Sequence, residues 1–231
     1  VDVDEADADV DAGDEGDEGD ADARRRREAP GLPRAGPGGL PPLGASAMAA
    51  APAARGGGGV ADLGVLDGRL LLFGGVYSNL QALEALVAVC RDELRIPPER
   101  VIHTGDVVAY CAQPREATEL LMSTGYHCLA GNCEESVSAG SHDCGCGFPE
   151  DLDSKCAEYS RNWYAHVSRE LKNHPELVEW MGSLPKRIDF EIGGRRFAVC
   201  HGSPRNVSEF LWPSTPDEEL RACLEPWAGL G

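Results

Sequence analysis

The chain has 231 residues, a formal net charge of −18 and 42% hydrophobic residues. Residues 1–59 hold 13 acids against 6 Arg and few branched or aromatic side chains, so they cannot bury enough apolar surface to offset the entropy of ordering. Residues 60–231 carry a net −11, which excludes a broad basic face for a nucleic-acid backbone, and no stretch approaches the ~20 apolar residues of a membrane-spanning helix.

Residues 1–59 are expected to form a disordered low-complexity tail, acidic at first and then rich in Arg, Pro and Gly. One domain follows over 60–231. The first residue is Val and the sequence stops at LEPWAGLG, so the domain is read as incomplete at its C-terminus. Nine Cys, an odd number without a secretory signal, point to reduced thiols and not a disulfide framework. Cys90, Cys128 and Cys200 lie in apolar runs and read as small core residues. The expected location is intracellular, in the cytoplasm. An organelle is the alternative, because residues 29–60 are basic and nearly free of acids. The sequence does not address oligomeric state.

Residues 69–73 form a short apolar strand, and 79–93 an amphipathic helix with Leu80, Leu83, Leu86, Val87 and Cys90 on one face. Ser78 is placed to cap that helix. Residues 101–103 are the next strand, 113–123 a helix with Pro114 in its first turn, and 127–130 a third strand. This alternation implies a parallel sheet with right-handed crossovers. A Gly-, Pro- and Asp-rich loop covers 141–154, and helices follow over 155–172 and 175–181. Residues 186–192 and 195–200 alternate around Gly193-Gly194 as a β-hairpin. The expected fold is α/β: two packed mixed β-sheets flanked by helices.

Three polar pairs stand where predicted strands end: Gly105-Asp106, Gly131-Asn132 and His201-Gly202. Open α/β sheets collect their sites at the carboxyl ends of strands. Carboxylate, amide oxygen and imidazole are metal ligands, and two-metal phosphoester chemistry needs a bridging carboxylate, neutral ligands and open positions. The strand over 69–73 ends instead in GGVYSN, with no acid and no histidine. Cys111, Cys133 and Cys144-Gly145-Cys146 lie in neighbouring loops. Thiolates there would favour Zn or Fe, although unbound thiols are the better-supported reading because CxC is tighter than common zinc spacings. His103, His166 and His174 read as structural or exposed.

The stretches LLFGGVYSNLQALEAL, VIHTGDVVAYCAQP, LAGNCEES and FAVCHGSP, in that order, resemble the calcineurin-like metallophosphoesterase family. The bacterial-type phosphodiesterase and diadenosine-tetraphosphatase-like branch is the nearest in pattern. The resemblance covers about residues 69–212 and implies an α/β/β/α sandwich. It implies that Asp106 bridges two divalent ions and that Asn132 and His201 bind the second. The family's Asp-x-His-Gly-Asn stands here as Gly75-Val76-Tyr77-Ser78-Asn79, and its GNH(D/E) as Gly131-Asn132-Cys133-Glu134. One ion is therefore expected in place of two, with Mn, Fe and Zn not distinguished; Cys111, Cys144 and Cys146 are candidates for a further metal. Cys133 and Glu134 are the proton-transfer candidates, and Tyr77, Asn79 and Arg205 the candidate substrate contacts. The implied activity is hydrolysis of a small phosphomonoester, phosphodiester or nucleotide. The rival is a catalytically inactive binding or regulatory protein that kept the fold.

Overall fold

The computed structural model describes residues 59–147 and 154–227, within a unit spanning Ser46–Gly231. Apart from Gly59, the expected tail lies outside the described residues. Strand β1 is Val60–Leu66 and β2 is Leu71–Phe73. β2, β3 (Val101–His103) and β4 (His127–Cys128) form a parallel sheet in that order. Helices α1 (Leu80–Ala88) and α2 (Pro114–Ser123) provide the crossovers, because parallel neighbours cannot be joined by a tight turn.

Every residue of the central strand β3 is buried, as expected for a strand covered on both faces. On one side a core joins Leu83 of α1 and Leu121 of α2 to Val167 and Leu171 of a long helix, and to Leu177 and Met181 of a shorter one. With α3 spanning Asn132–Ser138, those two are α4 (Lys155–Leu171) and α5 (Pro175–Ser183). On the other side Ala61, Ile102, Leu129, Ile188 and Phe190 form a second core between the two sheets. The second sheet has the order β1-β5-β6, with β5 Arg187–Ile192 and β6 Arg195–Cys200. β1 runs parallel to β5, and β5 pairs with β6 antiparallel. The hairpin turn uses Gly193 at φ +58° and Gly194 at φ +73°, the two positive φ values that a tight twisted hairpin demands. The packed-sheet α/β fold is thus present. No helix among the described residues is long and apolar enough to cross a membrane.

Several local features differ from expectation. β1 was not anticipated, since Asp62 and Gly64 interrupt its apolar pattern; its register shifts between Asp62 and Val65, and Gly64 donates its N–H to Asp62 Oδ1 at 2.8 Å. Helices α3 and α6 (Asp217–Leu224) are likewise additions. Ser78 does not cap α1. Asn79 does so, its Oδ1 accepting the Ala82 N–H at 3.1 Å, while the buried Ser78 hydroxyl accepts the Ala109 N–H at 3.1 Å. α1 runs on as a π-helical segment, Val89–Leu94, which ends at Arg95 in a left-handed conformation.

His103 closes β3 with 1% exposure, and its ring nitrogens have no hydrogen-bond partner among the described residues. Burial, followed by the neighbouring His201, lowers its pKa from 6.5 to about 3. The unfolded chain takes up a proton near pH 6.5 that the folded chain refuses until about 3. This residue's contribution is therefore complete above pH 6.5 and falls as pH drops toward 3. Replacing it by phenylalanine should flatten the acid limb, by about 2 kcal/mol in total between pH 7 and pH 5, in urea melts.

Candidate functional site

Where β3 ends, Thr104 donates its N–H to Phe73 O at 3.0 Å, and the chain then turns through Gly105 at φ +100° and Asp106 at φ +62°. A left-handed Asp is tolerated at a cost of order 1–3 kcal/mol and persists only where its surroundings impose it. Here the imposing group is Glu134, which has no exposure to solvent. Its Oε2 accepts the N–H groups of Asp106 at 2.7 Å and Gly131 at 2.8 Å, and its Oε1 accepts that of Val107 at 2.9 Å. Burial and then the charge of Asp106 raise the Glu134 pKa, against the three N–H donors that lower it. One carboxylate thereby fastens the turn after β3 to the turn after β4. By accepting the Gly131 N–H it also satisfies the N-cap donor of α3.

The glycines of these turns are there for close approach. A Cβ on Gly105 would lie 2.6 Å from Gly131 N and 2.8 Å from His201 Nδ1, and one on Gly131 would meet the Asp106 carboxylate. The turns after β3 and β4 thus come together with the turn after β6. Asp106 Oδ1 accepts the Cys133 N–H at 3.2 Å, and its Oδ2 lies 3.5 Å from His201 Nε2. His201 Nδ1 lies 2.7 Å from Thr104 O. A carbonyl can only accept, so Nδ1 carries a proton, and Nε2 is the ring atom turned to the Asp106 carboxylate. Asn132 directs its Nδ2 to Cys144 O at 2.8 Å, and its amide oxygen has no hydrogen-bond partner among the described residues.

A cavity of about 270 Å³ opens onto this cluster, and its lining includes Asp106, Asn132, Cys133 and His201 together with Tyr77, Tyr110, Cys146 and Trp163. Cys133 keeps its proton: burial, Asp106 and Glu134 all push the thiol pKa up. The phenols of Tyr77 and Tyr110 are also pushed up, burial leading in both, with Asp106 and Cys133 adding.

Asp106, Asn132, Cys133 and His201 thus converge as the sequence suggested, and Tyr77 joins them. Glu134 does not line the cavity; it lies beneath, holding the backbone. Asn79 is occupied by its cap. Arg205 pairs with Glu209 and, at 3.9 Å, with Glu219, and it lines a neighbouring cavity with Lys186 and Arg187. Cys144 is joined to Cys146 by a disulfide, and Cys111 is not in the cavity wall. Among the described residues no group of three or more His, Cys, Asp or Glu side chains is gathered as a metal cage. Tyr110 and Trp163 were missed because each reads as an isolated aromatic in a loop or on a helix face.

The profile of the calcineurin-like phosphoesterase family matches residues 59–227. The chain belongs to this family. It is similar to an uncharacterised protein of Methanocaldococcus jannaschii, 31% identical over 147 residues, which are 62% of this chain and 54% of the relative. The chain thus spans about half the length of that relative. Among solved structures it is similar to a hypothetical protein from Pyrococcus horikoshii, with TM-score 0.53, 18% identity, and 68% of this chain and 64% of that one covered. A metallophosphoesterase from Sphaerobacter thermophilus is similar at TM-score 0.42 and 28% identity, over 62% of this chain and 51% of that one.

A Cβ on Gly75 would lie 2.5 Å from Cε1 and Cζ of Tyr77. The tyrosine ring therefore occupies the space that an aspartate at 75 requires.

Glu134→Ala should strip the shared acceptor from three buried N–H groups and destabilise the protein by about 3 kcal/mol or more, read by chemical denaturation. Ser78→Ala should cost about 1 kcal/mol through the Ala109 N–H alone.

Proposed function

We propose that the chain hydrolyses a small phosphoester, using water activated at a single divalent ion held by Asp106, Asn132 and His201. The observation that supports this reading is the approach of Asp106 Oδ2 and His201 Nε2, 3.5 Å apart at the wall of a cavity, with Nδ1 of His201 turned to Thr104 O. A carboxylate oxygen and an imidazole nitrogen at that spacing can share a cation. Ligands about 2.1 Å from a tetrahedral ion stand about 3.4 Å apart, close to the 3.5 Å observed. The uncommitted Asn132 oxygen adds a neutral third donor, and this O, O, N set suits Mn, Fe or Zn.

A divalent ion bound there would acidify a water and polarise a phosphoryl oxygen. The chain's own groups do the rest. The Thr104 carbonyl holds His201 in the tautomer that leaves Nε2 open. The Cys133 N–H fixes one carboxylate oxygen of Asp106, so the other faces the cavity. The neutral phenol of Tyr77 is a hydrogen-bond donor for a phosphate oxygen, in place of a second cationic clamp. The Cys133 thiol, in place of the family histidine, is a weak donor toward the leaving group.

A second reading has its own support. The Tyr77 ring over Gly75 removes the space of the ligands that would bind the other ion, so the site is also suited to hold a phosphorylated ligand without turning it over.

Elemental analysis and turnover of p-nitrophenyl phosphate and its bis-ester with added Mn²⁺ separate the readings. Hydrolysis predicts about one bound ion per chain and a loss of turnover of at least about 100-fold in Asp106→Asn and His201→Ala. A bound ion with phosphate binding but no turnover supports the second reading. No ion and no turnover overturns both.

The coupling of positions 75 and 77 yields a further prediction. Gly75→Asp alone should destabilise the fold by about 1–3 kcal/mol through overpacking, whereas Gly75→Asp with Tyr77→His should restore the melting temperature and admit a second equivalent of ion.

A further inference from the structure

Three aromatic side chains, Tyr77, Tyr110 and Trp163, line the same cavity as Asp106 and His201. Tyr77 sits at φ +54° and Tyr110 at φ +37°. Both are non-glycine residues in a strained backbone region, which persists where surrounding structure imposes it and concentrates at ligand sites. The turn is fastened: Tyr77 donates its N–H to Asp106 O at 3.1 Å, and Cys111 donates to Tyr77 O at 3.1 Å. The strained backbone places the two rings side by side, with centroids 5.1 Å apart, and Tyr110 meets Trp163 edge-on at 5.4 Å.

These rings are not simply buried. Tyr77 is 38% exposed and Tyr110 58%, although both line the cavity. Trp163 contributes a second and independent sign. It is 7% exposed and lines the same cavity, yet its indole N–H is buried without a hydrogen-bond partner among the described residues. Buried indole donors normally find an acceptor. A wall with open aromatic faces and an unpaired donor is complementary to a flat ring that carries acceptor atoms.

We infer that Tyr77, Tyr110 and Trp163 form a subsite for a planar aromatic group, such as a nucleobase, carried by the phosphorylated ligand. This rests on the proposed reading for the position of the phosphate, which would lie toward Asp106 and His201. The aromatic group stacks on the tyrosines, and the Trp163 N–H donates to one of its ring acceptors. At about 270 Å³ the cavity is small, near the lower end of ligand pockets at about 300–1,000 Å³. That volume suits one ring system with a phosphate better than an extended oligomer.

Isothermal titration with adenosine 5′-monophosphate and ribose 5-phosphate, both with Mn²⁺, tests the subsite in the full chain. The nucleotide should bind about tenfold more tightly, the scale of one base–aromatic stack. Tyr110→Ala should abolish that preference, with a fall in stability limited to about 1–2 kcal/mol from its lost ring contacts. Trp163→Phe should reduce the preference while keeping the ring. Equal affinities in the wild type, or a preference unchanged in both variants, overturn the inference. Adenosine against ribose without metal reads the wall alone. If adenosine is preferred there while phosphate and Mn²⁺ produce no signal, the subsite stands and the ion-site reading falls. If adenosine shows no preference in either pair, the subsite falls whatever becomes of the ion.

Discussion

Glu134 is a carboxylate removed from solvent that accepts the N–H groups of Asp106, Val107 and Gly131. Removing such a charge from water costs several kcal/mol unless strong donors replace the lost hydration. Three backbone N–H groups provide that replacement, and they come from two different strand ends. The compensation therefore exists only when the turns after β3 and β4 lie in this one arrangement. Asp106 is held left-handed by that arrangement, and His201 is brought alongside through the contact at Gly105. The most strained residue of the cluster and its most deeply buried charge stabilise each other.

The requirement extends into the sheets. β3 must be fully buried for its end to be a fixed point, and it is covered by helices on one side and by β1 and β5 on the other. β6 reaches the cluster through its antiparallel pairing with β5, so the hairpin at Gly193-Gly194 sets where His201 falls. A slip of one residue there would turn His201 to the opposite face, because side chains alternate along a strand. The inter-sheet core is thus part of what positions the site.

The elements that the sequence revealed are those with a strong local signal. The run VIH, the α2 helix with Pro114 at its start and the Gly-Gly hairpin each follow from short-range chemistry. β1 was hidden because Asp62 and Gly64 break its pattern where the strand itself is irregular. α3 was hidden because its seven residues are largely polar, and several are buried against the site instead of an apolar core. Ser78 and Asn79 are both good cap residues, and only the tertiary partner of Ser78, the Ala109 N–H, decides between them. Glu134 shows the limit most clearly. A glutamate beside a cysteine in a short polar stretch carries no local sign of three donors arriving from two turns. The ligand cluster itself was legible because glycine-flanked polar pairs at successive strand ends are a local signal with a spatial meaning.

The change at positions 75 and 77 also alters the charge balance of the proposed site. An aspartate at 75 would add a second carboxylate, and the two together would offset half of the charge of two divalent ions. Here Asp106 stands without it, and the neutral Tyr77 ring fills the space. One divalent ion held by Asp106 would leave a net positive charge there, able to attract a phosphate. A second ion would share Asp106 as its only carboxylate from these positions and meet an aromatic surface on its other side. Its desolvation would then be poorly compensated. In the proposed site, Gly75 and Tyr77 would thus favour one ion on electrostatic grounds as well as steric ones, and the groups proposed for charge recognition and for ring recognition line one small cavity.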